Sequence, residues 1–220
     1  MVVAFFDIDH TIICGTSMER AFLKYLFKSR YIKVSDILRT AVFICRHLFD
    51  SSGISIRSRR PYLQGKSVAV IESLAAQCFK KSILPLISRD AMETIRRHKK
   101  AGQQVVLLSG TPHILARLLS RHVNADYYIA CKAVEAEGYF TGDILNPIPY
   151  GEGKRDILLS YATEKGINLK ECFAYGDSIA DIGVFRSVGN PYVVNPARRL
   201  RLIAAEKGWR IVYWRVDFSI

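Results

Sequence analysis

The sequence predicts an α/β fold, a doubly wound parallel sheet with helices on both faces and a small α-helical cap inserted after the first strand. The chain opens on the apolar run VVAFF at residues 2–6, which is typical of a buried strand. Helical patterns without a strand signal then fill 15–85. Later, strand and helix patterns alternate, which indicates parallel strands joined by right-handed crossovers. We therefore expect a core of residues 1–14 and 86–220 and a cap of residues 15–85.

Three helices make up the predicted cap. The first begins near Thr16 or Ser17, either of which can cap it, because apolar residues recur at helical spacing over the following turns. The second is predicted over 35–50 with Ser35 as its candidate cap, and the third over 68–83. A polar, basic connection separates the second helix from the third.

The alternation beyond the cap defines the rest of the sheet. A helix ended by Gly102 leads into the strand QQVVLLSG, and the helix TPHILARLLSRHV follows it. A turn at Glu137 and Gly138 predicts a β-hairpin. The other predicted strands are DYYIA, ECFAYGD, PYVVN and WRIVYW, and the helical patterns GKRDILLSYATEKG, SIADIGVFRSVG and PARRLRLIAAEKG precede the last three.

The net charge of +12 is concentrated in one part of the chain. Residues 15–100 hold 18 Lys and Arg against 6 Asp and Glu, whereas residues 101–220 hold 14 against 12. An anionic substrate, an anionic membrane face or a nucleic acid would complement this surplus, and a solvated surface without a partner is the alternative. Because the sequence has no interleaved aromatic and basic ladder, we expect no specific nucleic acid.

The cysteines and the amino terminus indicate the compartment. The five cysteines are odd in number and form no CxxC pair, so reduced thiols are expected, and the five histidines form no zinc motif. No stretch of about 18 uncharged apolar residues occurs. The opening residues are typical of a strand and not of a signal peptide. We expect a cytoplasmic protein, with peripheral contact to an anionic membrane left open.

Polar and charged residues follow the ends of several predicted strands. Because parallel strands present their carboxyl ends at one edge of the sheet, groups that are distant in sequence should meet there. These residues are Asp7, Asp9, Ser109, Gly110, Asp177 and Asp181, and a helix start after a loop adds Lys154.

The chemistry of this set indicates a phosphoryl group beside a metal ion. Carboxylates of Asp7, Asp177 and Asp181 are hard oxygen ligands of the kind that Mg²⁺ prefers. Lys154 supplies a positive charge, and Ser109 a hydroxyl. The backbone N–H of Gly110 can approach a ligand closely, because glycine has no side chain.

The two carboxylates after the first strand can divide the reaction between them. Asp7 can attack phosphorus and form an aspartyl-phosphate. Asp9, two residues on, can protonate the leaving oxygen and later deprotonate water. Mg²⁺-dependent hydrolysis of a phosphomonoester is the function that this pairing predicts.

The motifs DIDHT, SGT, a separate Lys154 and GDSIAD together resemble the haloacid dehalogenase (HAD) superfamily of phosphatases. The helices after the first motif and the tail YVVNPARRLRLIAAEKGW are similar to the phosphoserine-phosphatase-like branch, subfamily IB. The resemblance covers nearly the whole chain and implies a Rossmann-like core.

The resemblance also implies residue roles. Asp7 would be the nucleophile and a Mg²⁺ ligand, and Asp9 the general acid and base whose backbone carbonyl also binds the metal. Asp177 would bind the metal directly, and Asp181 would hold its water shell. The implied phosphate-binding residues are Ser109, Gly110 and Lys154.

Two departures from the family pattern concern the substrate. His10 stands where the family often has glycine. Thr16 stands where phosphoserine phosphatases carry a glutamate, nine residues after the nucleophile, and the nearest acid is Glu19. This argues against phosphoserine itself. The candidates for selecting the substrate are His10, Glu19, Arg57 and Arg60.

The cap composition leaves the substrate class open. Its basic residues Arg57, Arg59, Arg60 and Lys66 favour a substrate with additional negative charge. Its apolar helices are compatible with a lipid phosphate or with ordinary packing on each other, so a small phosphorylated metabolite and a lipid phosphate both stay candidates. The alternatives are a phosphate-binding regulatory module without turnover and a nucleic-acid-associated basic protein. The oligomeric state is open.

Overall fold

A six-stranded parallel sheet forms the centre of the protein, with the order β3-β2-β1-β6-β7-β8. The structure, a computed structural model, describes residues 1–47 and 57–215. The strands are β1 (Val3–Phe6), β2 (Gln104–Pro112), β3 (Tyr127–Cys131), β4 (Ala133–Ala136), β5 (Tyr139–Ile144), β6 (Phe173–Gly176), β7 (Asn190–Val194) and β8 (Arg210–Val212). The predicted α/β fold class is confirmed.

Helices cover the sheet and fill the interval between β1 and β2. Within the described ranges, no helix is long and apolar enough to cross a membrane. The helices are α1 (Met18–Lys28), α2 (Val34–His47), α3 (Val68–Cys78), α4 (Arg89–Lys100), α5 (His113–Val123), α6 (Glu152–Lys165), α7 (Ile182–Ser187) and α8 (Arg198–Lys207).

The helix ends differ in detail from the predictions. Ser17 caps α1, since its hydroxyl accepts the N–H of Arg20 at 3.1 Å. Ser35 does not cap α2, because it lies inside that helix. The Asp36 carboxylate instead accepts the N–H of Lys33 at 3.0 Å. Residues 48–50 of the predicted second helix, and 51–56 of the connection after it, lie outside the described residues. The third helix ends in a π-helical turn at Phe79–Ile83.

Strand β2 is longer than the apolar run that predicts it. Its pairing with β3 shifts register between Leu108 and Pro112, and the chain stays extended up to Pro112. The following helix therefore begins at His113 and not at Thr111. Ser109 lies in this extended stretch at the carboxyl edge of the sheet.

The predicted hairpin is confirmed as β4 and β5, and it anchors the segment before α3. Glu137 and Gly138 both have positive φ, 50° and 81°, which a type I′ turn requires. The N–H of Arg60 donates to the carbonyl of Gly142 at 2.6 Å. Farther along the same segment, the carbonyl of Lys66 accepts the N–H of Phe140 at 3.0 Å.

Apolar residues cover both faces of the sheet. Phe5 belongs to a cluster on one face and Phe6 to a cluster on the other, as expected for a strand buried on both sides. Helices α1 and α3 contribute Phe22 and Ile71 to the cluster that contains Phe6. The division into a core of 1–14 and 86–220 and a cap of 15–85 stays a prediction.

His98 on α4 lies beneath the strands that end at the acidic residues. Its Nε2 lies 2.8 Å from the hydroxyl of Tyr175, and its Nδ1 is bonded to the side-chain oxygen of Gln103. A neutral ring with its proton on Nδ1 satisfies both bonds. Burial lowers the pKa of His98, the Gln103 bond opposes this, and nearby Arg97 lowers it further. The native state therefore holds this ring neutral.

Replacing Phe22 by alanine should destabilise the protein by about 3–5 kcal/mol, because its ring is fully buried and the cavity cannot close completely. The matched control is Phe27→Ala on the same helix, which is 49% exposed and should cost less than about 1 kcal/mol. Urea unfolding measures both. Equal losses in the two variants would contradict this packing.

Acidification should unfold the protein partly through His98. Below the usual histidine pKa of 6.5, the unfolded chain takes up a proton that the native site resists, so the free energy of unfolding falls as pH drops. His98→Gln should flatten this slope between about pH 7 and pH 5. Exposed His122→Gln is the control and should leave the slope unchanged. A full slope in His98→Gln would refute the assignment.

Candidate active site

The loop after β1 turns sharply and brings two carboxylates to the edge of the sheet. The N–H of Asp7 donates to the carbonyl of Tyr175 at 2.8 Å, which continues the pairing of β1 with β6. The carbonyl of Ile8 then accepts the N–H groups of Ile12 and Ile13, each at 2.9 Å. This tight turn fixes the loop that carries both Asp7 and Asp9.

Three carboxylates from separate segments meet at this edge. One oxygen each from Asp7, Asp177 and Asp181 lies within 4.8 Å of the others. Gly176 makes this approach possible, because a Cβ there would lie 2.7 Å from the carboxyl carbon of Asp181. The structure thus brings together three of the four predicted metal ligands through their side chains.

Lys154 lies between two of these carboxylates. Its Nζ is 2.7 Å from Oδ1 of Asp7 and 2.5 Å from Oδ1 of Asp181, and its side chain is only 5% exposed. Burial alone would lower the pKa of Lys154, but the carboxylates of Asp181 and Asp7 raise it overall. The amine is therefore held as a cation. Lys154 lies at the start of α6, where Gly153 packs so closely on Ile148 that a Cβ would collide with its carbonyl oxygen at 2.5 Å.

Ser178 holds the second oxygen of Asp181. Its N–H and its hydroxyl both donate to Oδ2, at 3.1 and 3.0 Å. The carboxylate of Asp181 is thus fixed by Ser178 on one side and by Lys154 on the other. The sequence analysis did not single out Ser178, although its position directly after Asp177 in the GDS motif was a usable signal.

The Asp9 carboxylate points away from the three-carboxylate cluster. Its Oδ1 accepts the N–H of Met18 at 2.8 Å, and its Oδ2 accepts the hydroxyl of Thr111 at 3.0 Å. Thr111 in turn lies 3.1 Å from the hydroxyl of Ser109. Asp9 could contact a metal through its carboxylate or through its backbone carbonyl. Since the carboxylate points away, only the backbone carbonyl, which the resemblance implies, fits this orientation. The sequence analysis did not predict that Thr111, the last residue of the SGT motif, would donate a hydrogen bond to Asp9.

Burial dominates the protonation of the acidic residues. It raises the pKa of Asp7 to about 7, where the charge of Lys154 opposes the shift and that of Asp181 reinforces it. It raises the pKa of Asp177 to about 8, with Asp7 and Asp181 adding to the effect. Burial also raises the pKa of Asp9, against the bonds from Met18 and Thr111. The site thus holds more carboxylates than one lysine can neutralise.

A cavity of about 360 Å³ joins these groups. Every residue predicted for the site lines it: Asp7, Asp9, His10, Glu19, Arg57, Arg60, Ser109, Gly110, Lys154, Asp177 and Asp181. The two regions, strand ends and cap candidates, therefore face one another across the same space.

The cap candidates are already engaged with neighbours. The carboxylate of Glu19 accepts a hydrogen bond from the hydroxyl of Tyr62 at 2.9 Å. The same carboxylate forms an ion pair with Nε of Arg60 at 2.6 Å. The guanidinium of Arg57 lies 3.4 Å from the centre of the Tyr150 ring. Tyr150, which also lines the cavity, was missed by the sequence analysis because no motif marks it.

Two of the four basic cap residues do not face the cavity. Arg59 pairs with Asp143 at 2.7 Å, and Lys66 pairs with Asp36 at 3.0 Å. Of the four basic residues that favour a substrate with additional negative charge, Arg57 and Arg60 line the cavity. Thr16 is not among the described residues that line the cavity.

A family model and the sequences of known proteins match this chain. The model of the haloacid dehalogenase-like hydrolase family matches residues 4–186. The chain is 32% identical over 219 residues to a protein named phosphoserine phosphatase SerB1 from Mycobacterium tuberculosis, covering 97% of this chain and 71% of that one.

Solved structures share the fold. A protein of unknown function from Bordetella pertussis superposes with a TM-score of 0.81 at 21% identity, over 96% of this chain and 97% of that one. A phosphoserine phosphatase in its apo form superposes with a TM-score of 0.68 at 21% identity, over 98% and 94%. The chain therefore belongs to the haloacid dehalogenase-like hydrolase family, in its phosphoserine-phosphatase-like branch, as the motifs predicted.

Proposed function

We propose that the chain hydrolyses phosphomonoesters with Mg²⁺ and forms an aspartyl-phosphate on Asp7. The observation that carries this proposal is the single cavity lined by the three-carboxylate cluster, by Lys154 and by Ser109. A phosphate-binding module without turnover would have no use for Asp9, whose carboxyl is held apart from that cluster by its own two hydrogen bonds.

The donor set fits Mg²⁺. Carboxylate oxygens of Asp7, Asp177 and Asp181 lie close enough together to share one ion, and no sulfur or imidazole ligand competes among them. When bound, Mg²⁺ would neutralise these carboxylates and draw electron density from the phosphoryl oxygens.

The phosphoryl group would be held by this chain's own donors. Lys154 would provide a positive charge, and Ser109 a hydroxyl, since both line the same cavity as the carboxylates. Gly110 lines this cavity as well, and its backbone N–H could donate to a phosphoryl oxygen there. These groups would stabilise charge on the equatorial oxygens as the leaving oxygen departs.

In the first step, an oxygen of Asp7 attacks phosphorus and the bond to the leaving oxygen breaks. Asp9 gives its proton to that oxygen, and burial favours the protonated form that this requires. In the second step, the Asp9 carboxylate takes a proton from water as the water oxygen attacks phosphorus. Asp7 is released as a carboxylate together with inorganic phosphate, and Asp9 is again protonated.

The cavity favours a leaving group with a further negative charge. Glu19 is paired with Arg60, and Thr16 stands where phosphoserine phosphatases carry a glutamate, so the described residues of 15–85 that line the cavity offer no unpaired acid to an ammonium. The guanidinium of Arg57, which lies against the Tyr150 ring, is on the same wall and could bind an anionic leaving group. A small phosphorylated metabolite with a second anionic group and a lipid phosphate both fit, and a substrate panel with Mg²⁺ would separate them.

Asp7→Asn should lower turnover of p-nitrophenyl phosphate by roughly a thousandfold or more, because an amide oxygen cannot form the aspartyl-phosphate. The control is Asp156→Asn, an exposed residue on the same helix as Lys154, which should retain full activity. Steady-state rates and circular dichroism measure activity and fold. Undiminished turnover in Asp7→Asn would overturn the mechanism. A wild-type protein that binds phosphate without turnover would favour the regulatory alternative.

Mg²⁺ should raise the melting temperature of the wild-type protein, because an ion bound only by the native state stabilises it by about 2.7 kcal/mol at a hundredfold excess over its Kd. Asp177→Asn should abolish this increase, whereas Asp156→Asn should retain it. Differential scanning fluorimetry with and without EDTA measures the shift. An equal shift in Asp177→Asn would exclude this carboxylate as a ligand.

A further inference from the structure

Helix α2 presents its apolar side to solvent. Seven of its residues lie on one face at helical spacing, and the larger ones are strongly exposed. The exposed fractions are 60% for Val34, 43% for Ile37, 58% for Leu38, 48% for Val42 and 38% for Ile44. Ala41 and Cys45 complete this face and are exposed as well. An amphipathic surface helix ordinarily has the opposite orientation.

The polar side of α2 attaches the helix to the body. Asp36 is its one buried residue, and the carboxylate binds Nζ of Lys66 at 3.0 Å as well as the N–H of Lys33. Phe43 and His47 on the same side are half-buried. This anchoring fixes the orientation of α2, so the exposure of the apolar face is a property of the fold.

Two apolar grooves flank the exposed face. One, of about 410 Å³, lies between α2 and α1 and is lined by Leu23, Phe27 and Ile32. Phe27 is itself 49% exposed. The other, of about 690 Å³, lies on the far side and is lined by Arg39 and Arg46 together with apolar residues of α2. The apolar surface is thus continuous from α1 across α2.

The charges around this surface are almost all positive. Residues 18–47 carry seven Lys and Arg and only two acids, Glu19 and Asp36. Both acids are bound in ion pairs, with Arg60 and Lys66. Within residues 18–47, the basic side chains therefore outnumber the acids that could neutralise them. A second copy of the chain would bring like charges together, whereas an anionic partner with an apolar interior would match both properties.

We propose that the α2 face docks on the surface of an anionic lipid bilayer. The helix lies in the plane of the interface, with Leu38 and Val42 among the acyl chains and Arg39 and Arg46 on lipid phosphates. The described residues of α2 are suited to lying on a membrane, since one face of the helix is apolar and the other carries polar and charged side chains. Lys24, which lines the groove toward α1, extends the cationic rim.

Vesicle flotation of the full chain tests this proposal. Vesicles of phosphatidylcholine with added phosphatidylglycerol are compared with vesicles of phosphatidylcholine alone, at low salt and at about 0.15 M salt. The wild-type protein should float with the anionic vesicles and not with the neutral ones, and salt should weaken the binding.

Two double variants separate the apolar and the charged contributions. Leu38→Ser with Val42→Ser, and Arg39→Gln with Arg46→Gln, should each weaken binding by roughly tenfold or more. All four side chains are exposed, so neither variant should unfold the protein. The control is Leu202→Ser on α8, which removes a leucine of 62% exposure elsewhere and should bind like the wild type. Turnover of p-nitrophenyl phosphate in solution should be unchanged in all three.

Three outcomes would overturn the proposal. The first is failure of the wild-type protein to bind anionic vesicles at low salt. The second is undiminished flotation of the Leu38→Ser, Val42→Ser variant, which would assign binding to another surface. The third is a dimer, seen by light scattering, that this variant converts to a monomer. That result would show that a second copy of the chain occupies the face.

Discussion

The buried contact of Lys154 with Asp7 and Asp181 is the interaction on which the site depends. Three carboxylates and one ammonium meet there, so within this group of four side chains the carboxylates outnumber the cation. Burial raises the pKa values of Asp7 and Asp177, and the neighbouring carboxylates add to the increase. A divalent cation would neutralise these carboxylates, which links the charge of the site directly to the proposed chemistry.

Glycines make this crowding of charge possible. Gly176 allows the Asp181 carboxylate to lie against the end of β6, and Gly153 allows the first turn of α6 to pack on Ile148 and so to bring Lys154 inward. In both cases a Cβ would collide with its neighbour. The glycines in GDS and GEGK are therefore needed for the close packing of the backbone, in addition to the charged residues that follow them. The scaffold therefore fixes the separation of the charges before any ligand arrives.

The parallel strands and the acidic residues at their ends were predictable, because buried parallel strands are continuous apolar runs and their carboxyl ends share one edge. The partners of Asp9 were not predictable, since Thr111 is 102 residues away in sequence and reaches Asp9 only through the register shift that extends β2. The ion pairs of Arg59 with Asp143 and of Lys66 with Asp36 were unpredictable for the same kind of reason. Composition identifies a basic segment, but only tertiary contacts decide which cations are already paired.

The orientation of α2 is a further property that periodicity cannot supply, because an amphipathic pattern defines two faces without stating which lies inward. Here the ion pair of Asp36 with Lys66 decides it, and folding leaves apolar surface exposed that burial would have stabilised by about 25 cal/mol per Å². The short turn at Pro61–Leu63 packs on α2, and Arg60 directly before it lines the cavity of the carboxylate cluster. The helix that carries the exposed apolar face thus packs on the segment that forms one wall of this cavity.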